Sequence, residues 1–260
     1  VSVEVDPALA RDTERTTADA RALHQLIDAP NLMVKIPGTS EGLPSIRTLI
    51  GEGRSINVTL IFSVPRYVEV VEAYISGLED AVANGIEDLS QIASVASFFI
   101  SRTDTEVDRR LQEIGTDQAL ELRGKTAVAQ AQVAYQQFLS AFSGARWEAL
   151  AAKGAQPQRP LWASTSTKNP NYSETLYVDE LIGPHTVNTM PDNTIASFIT
   201  SGSVRRSIDA DPEASELILR KVAEIGIDLE HVAAVLEEEG VASFVKSFDE
   251  LITVSYTHLR

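Results

Sequence analysis

Asn31–Pro37 (NLMVKIP) sets one lysine inside a short apolar run. In a strand, successive side chains alternate faces, so Leu32, Val34 and Ile36 share one side while Met33 and Lys35 share the other. Neither side looks wet, and the stretch reads as a strand buried on both faces. Desolvation disfavours an ammonium and lowers its pKa. A neutral amine in an apolar pocket is a nucleophile for carbonyl carbon.

The same alternation collects other polar groups beside Lys35. In Val1–Val5 (VSVEV), the valines face one way and Ser2 and Glu4 the other. In Ile56–Ile61 (INVTLI), Ile56, Val58 and Leu60 oppose Asn57 and Thr59. One sheet face is therefore aliphatic, suited to packing against helices. The opposite face carries Glu4, Lys35, Asn57 and Thr59, with Ser97 and Ser164 expected to join them. A carboxylate near an amine can move protons, and an asparagine can bind hydroxyls without changing charge.

These residues need elements to hold them. Strands are expected at 1–5, Leu32–Ile36, Ile56–Ile61, Ile92–Ile100, Leu161–Ser164 and Thr186–Thr189. Helical patterns fill Asp6–Asp28, Leu43–Ile50, the stretch from Pro65, most of Thr103–Ala152, Glu213–Ile225, Leu229–Glu239 and Val241–Leu251. Alternating strands and helices mean an α/β chain with parallel strands. Polar groups converging at the carboxyl ends of strands favour a (β/α)8 TIM barrel over a doubly wound sheet. Six strands are visible, and the reading expects two more upstream, because the chain opens in a strand without a methionine. Residues 1–253 are read as one domain. The tail 254–260 (VSYTHLR) breaks the helical pattern, is expected to be foreign to the fold, and receives no role.

The segments VSVEVDP, LMVKIPGT, INVTLIFS, ASFFISRTDT and LWASTSTK resemble the class I transaldolase family, from Val1 to about Leu251. INVTLIFS following VKIPGT at this distance is the specific part of the likeness. The resemblance implies a (β/α)8 barrel that needs neither metal nor organic cofactor. It implies transfer of a dihydroxyacetone unit between sugar phosphates through a lysine Schiff base, in the pentose phosphate pathway. On that resemblance Lys35 matches the Schiff-base lysine and Glu4 the catalytic glutamate, with Thr59 orienting a water between them. Asn57, Ser97, Arg102 and Ser164 match substrate-binding positions. Two departures stand out. The family's second phosphate arginine falls at Ser166, and Lys168 is the candidate to supply that charge. An aspartate and an asparagine of the family lie upstream of Val1, so this stretch alone is expected to have impaired activity.

Blander readings accompany each choice. A strand lysine commonly snorkels. Thr59 could be a strand former, Ser97 small barrel filling, and Arg102 a helix-start residue paired with Asp104 or Glu106. Lys168 lies in a polar loop and could be merely solvated. Trp162 is placed on the inward face with Ser164, as barrel core or substrate border. His24, His185 and His231 lack metal-ligand spacing, and Asp108–Arg110 and Glu237–Glu239 read as solvated faces.

The chain has 260 residues, 43% of them apolar, no cysteine and a net charge of −15. That charge argues against nucleic acid and anionic membrane as partners, while the missing cysteine suits a reducing cytoplasm. No apolar run is long enough to span a bilayer. Sugar phosphates are the expected partners, and a homo-oligomer is compatible with the reading. Two rival functions remain: an aldolase on the same barrel releasing free dihydroxyacetone, and a non-catalytic barrel that binds sugar phosphate. The long helical stretch 103–152 favours the larger transaldolase type over compact aldolases.

Overall fold

A computed structural model describes the backbone of residues 1–258 and the side chains of residues 1–254. Six strands form one sheet: β1 (Ser2–Glu4), β2 (Met33–Pro37), β3 (Ile56–Ile61), β4 (Ser94–Phe99), β5 (Arg159–Ala163) and β6 (Val187–Asn188). Every neighbouring pair is parallel, and the strands lie in chain order. Between them run α1 (Thr13–Ile27), α2 (Gly42–Gly51), α3 (Val64–Ala83), α4 (Ser101–Ile114), α5 (Asp117–Leu120), α6 (Thr126–Ala141), α7 (Gly144–Ala151) and α8 (Leu176–Asp179). After β6 come α9 (Asp192–Ser201), α10 (Pro212–Glu224) and α11 (Leu229–His258). Parallel neighbours in sequential order, each followed by helix, make the wall of a β/α barrel.

The two faces of this wall are packed separately. Val34, Ile36, Ile56, Val58, Ile61, Ala96, Phe98 and Trp162 belong to a core shared with α2, α3 and α6. Leu60, Val95, Phe99, Leu161 and Ala163 belong to a second cluster with α4, α5, α10 and α11. The second face is the inner one, and Met33 only packs at its margin. The expectation that β2 is buried on both sides holds for one side. Val34 and Ile36 are fully buried, whereas Met33 and Lys35 are half-buried.

Strict alternation fails at two places. Leu60 has φ 58, and the β3–β4 register shifts between Val58 and Ile61. This bulge turns Leu60 to the inner face and returns Ile61 to the outer one, so Leu60 does not share the side of Ile56 and Val58. Trp162, placed inward with Ser164 by sequence, packs outward. Its Nε1 donates to the Leu181 carbonyl at 3.0 Å, and its ring meets Phe98 edge-on. Ser164, with φ 57, has left the strand's alternation, so the two residues share no face.

Two helices expected at the C-terminus are one. Gly240 does not interrupt α11; it lets the helix approach the sheet, since a Cβ there would stand 3.0 Å from Leu60 Cδ2. The helix also runs through the expected break at Val254 to His258, and Leu259 and Arg260 lie outside the described residues. The first helix is instead divided, into a 3-10 turn at Pro7–Leu9 and α1. Asp12 starts α1 by accepting the Arg15 N–H.

α2 and α3 pack backbone to backbone at Gly77, where an added Cβ would lie 2.7 Å from Ile50 Cβ and 2.8 Å from the Arg47 carbonyl. Gly77→Ala should therefore destabilise the fold by about 1–3 kcal/mol, more than the roughly 1 kcal/mol gained in helix propensity. Urea unfolding of the variant checks this, and a higher midpoint than wild type would contradict the close packing.

Candidate active site

Strand register sets the centre of the site. Glu4 lies directly opposite Lys35, and Lys35 directly opposite Asn57. Residues in register on neighbouring parallel strands point to the same face. Asn57 is held at both ends: Ser97 Oγ donates to its Oδ1 at 2.8 Å, and its Nδ2 donates to Ser2 Oγ at 3.0 Å. Thr59, fully buried, follows Asn57 on the inward alternation, and its carbonyl accepts the Gly38 N–H at 2.7 Å. Register and hydrogen bonding thus set Glu4, Lys35, Asn57 and Ser97 on one face.

Glu4 is the electrostatic anomaly. Its Oε1 is shielded from solvent and, among the described residues, takes no hydrogen bond, from Lys35 or any other donor. Burial pushes the carboxyl up from the usual 4.5 to about 7, with the Lys35 charge opposing the shift. Such a group can both hold and release a proton near neutrality, as general acid–base work requires.

At the rim, Ser164 bonds Ser101, the chain neighbour of Arg102. Arg102, in the first turn of α4, lies over the Phe99 ring with its guanidinium carbon 5.6 Å from the centroid. The carboxylates that could have paired with it are used elsewhere. Asp104 accepts from the Ala127 N–H and Tyr177 Oη, and Glu106 binds Arg109 and Arg110. Among the described residues no carboxylate pairs with Arg102. Next to it, Ser101 ties the ends of β4 and β5 together: its N–H donates to the Ser164 carbonyl at 3.0 Å, and the two Oγ atoms are 2.8 Å apart.

Lys168 is placed apart from this group. It lines a cleft of about 270 Å³ with Asp104, Asp108, Arg109, Arg123 and Tyr172, and neither Arg102 nor Ser164 borders that cleft. Ser166 supplies no cation either. Sequence reasoning missed Ser2 and Phe99. Ser2 carried a visible signal, sharing a face with Glu4, whereas Phe99 as a platform for Arg102 depends on how β4 turns into α4. Among the described residues no group of three or more His, Asp or Glu side chains could hold a metal ion, and no helix is long and apolar enough to cross a membrane.

Sequential parallel strands with a lysine, a carboxylate and hydrogen-bonding side chains on the inner face define a β/α-barrel enzyme. The description Transaldolase/Fructose-6-phosphate aldolase belongs to a family model that matches residues 1–254, and the chain is a member of that family. A transaldolase from Thermobifida fusca is 54% identical over 253 residues, 97% of this chain and 68% of the relative. One from Saccharopolyspora erythraea is 54% identical over the same shares, and one from Mycobacterium leprae 52% identical. The family is built on the (β/α)8 barrel, and β1–β6 fit six adjacent staves of it. The chain stands among the transaldolase enzymes, which are transferases.

The raised Glu4 carboxyl has a consequence for stability. A carboxyl raised in the folded state contributes fully below 4.5, loses that contribution between 4.5 and about 7, and contributes nothing above. Glu4→Gln cannot ionise. It should gain stability relative to wild type as pH rises through this window, by on the order of 1 kcal/mol after allowance for solvent screening of a half-buried group. Urea midpoints of both proteins at pH 5 and pH 8 measure this; a constant difference would contradict the assignment.

Proposed function

We propose that the chain transfers a dihydroxyacetone unit between sugar phosphates through a Schiff base on Lys35. The donor would be sedoheptulose 7-phosphate and the acceptor glyceraldehyde 3-phosphate, giving erythrose 4-phosphate and fructose 6-phosphate. The observation that carries this reading is the register pair Glu4–Lys35, with Glu4 Oε1 unpaired. Family membership supports it.

The Lys35 amine attacks the donor's C2 carbonyl, and loss of water leaves an iminium. Cleavage between C3 and C4, with the C4 hydroxyl proton passing to the aspartate that the family resemblance implies, puts the electron pair into an enamine, which waits for the acceptor aldehyde. Glu4 handles the proton transfers at the amine, with Thr59 orienting an intervening water. An unpaired carboxylate suits this role, because a tight Glu4–Lys35 ion pair would keep the amine charged. The fixed Asn57 amide and Ser97 bind hydroxyls of the three-carbon unit. Arg102, stacked on Phe99 and unmatched by a carboxylate, is positioned to take the phosphate with Ser164. Lys168 contributes to phosphate binding only if its loop turns toward the rim. The reading places the reaction in the pentose phosphate pathway and, with no cysteine to oxidise, in the cytoplasm.

Borohydride reduction in the presence of fructose 6-phosphate should fix a three-carbon adduct on Lys35. Lys35→Ala should abolish trapping with the circular-dichroism spectrum unchanged; an equally trapped variant refutes the nucleophile. Arg102→Ala should raise KM for phosphorylated donors roughly tenfold or more, as expected for a charge-assisted contact of about 1.5–3 kcal/mol. An unchanged KM would move phosphate binding elsewhere. Product analysis without acceptor separates transfer from an aldolase, which would release free dihydroxyacetone.

A further inference from the structure

Asn57 is level with Glu4 across β2, since both are in register with Lys35. Its side chain nevertheless donates to Ser2, the inward residue one step before Glu4 on β1. The Ser2–Asn57–Ser97 chain thus crosses the inner face from β1 to β4, passing over β2 between the levels of Met33 and Lys35. Both ends of the amide are occupied, so its plane is fixed. Meanwhile Glu4 Oε1, buried on the same face, has no donor among the described residues.

Leaving a buried acceptor unsatisfied costs about 1–3 kcal/mol, so a free amide donor on that face would be drawn to it. We propose that Ser2 is a positioning residue: it holds the Asn57 amide below the lysine and thereby keeps Glu4 Oε1 open for proton exchange. Ser2 touches no reacting atom and acts through Asn57. The inference rests on the site reading above for its catalytic meaning, while the strap itself is a matter of geometry. Few charges act on Glu4 otherwise. Lys35 of β2 is the charged group that influences it. Asp6, two residues on in the chain, accepts the Ala8 N–H.

The test follows the Glu4 carboxyl carbon by 13C NMR across pH in the labelled full chain, with no substrate present. In wild type the midpoint should lie near 7. In Ser2→Ala the released Asn57 amide should turn to Glu4 and favour its charged form, lowering the midpoint by roughly one pH unit. The Asn57 side-chain N–H signals should shift as well. Ser2→Thr keeps the hydroxyl and should behave as wild type. If Ser2→Ala does not fold, the isosteric pair Ser2→Val and Ser2→Thr carries the same comparison. An unmoved Glu4 midpoint in the hydroxyl-free variant overturns the proposal. Borohydride trapping on the same samples reports separately on Lys35. Wild type failing to trap would end the Schiff-base reading, while the NMR comparison would still decide the role of Ser2.

Discussion

Everything at the site depends on the hydrogen-bonded register of three parallel strands. The β1–β2 and β2–β3 ladders set Glu4, Lys35 and Asn57 at one level. A one-residue slip of β2 would turn Lys35 into the helix layer and bring Val34 or Ile36 inward. The outer core prevents that slip, because Val34, Ile36, Ile56 and Val58 are fully buried against α2 and α3. Hydrophobic burial on one face thus fixes the chemistry on the other.

The polar side is deliberately under-satisfied at one atom and over-determined at another. Asn57 has a partner at each end, while Glu4 Oε1 has none among the described residues. Buried polar groups are usually paired, and an exception marks strain or function. Here the unpaired oxygen belongs to the residue in register with Lys35 on the inner face. The same economy appears at the rim. Asp104 and Glu106 are engaged by Tyr177, Arg109 and Arg110, leaving the Arg102 guanidinium on the Phe99 face without a counter-charge among the described residues.

Two non-glycine residues in left-handed conformation stand where strands give way to the mouth. Leu60 turns inward at the β3 bulge, and Ser164 leaves β5 toward Ser101. Such conformations cost on the order of 1 kcal/mol or more. Each re-aims a side chain that regular alternation would send elsewhere: Leu60 to the contact with α11, Ser164 to the junction of β4 and β5. Gly240 meets Leu60 from the other side, so the close approach of α11 and the bulge are complementary.

By itself the sequence determined the α/β alternation, the parallel class and the shared face of Glu4, Lys35, Asn57 and Ser97. Period-two patterning is a local property and survives in strands of five or six residues. It also showed Ser2 on that face without saying what Ser2 does, since a bond spanning 55 residues leaves no local trace. Trp162 and Leu60 were misplaced for one reason: alternation cannot announce where a bulge or a left-handed residue interrupts it. The continuity of α11 across Gly240 was hidden too, because glycine reads as a breaker until its neighbour is known. Only the tertiary structure decided that Lys168 lines a different cleft from Arg102 and that Glu4 lacks a partner. Both facts are distances between segments far apart in the chain, set by packing that no local pattern encodes.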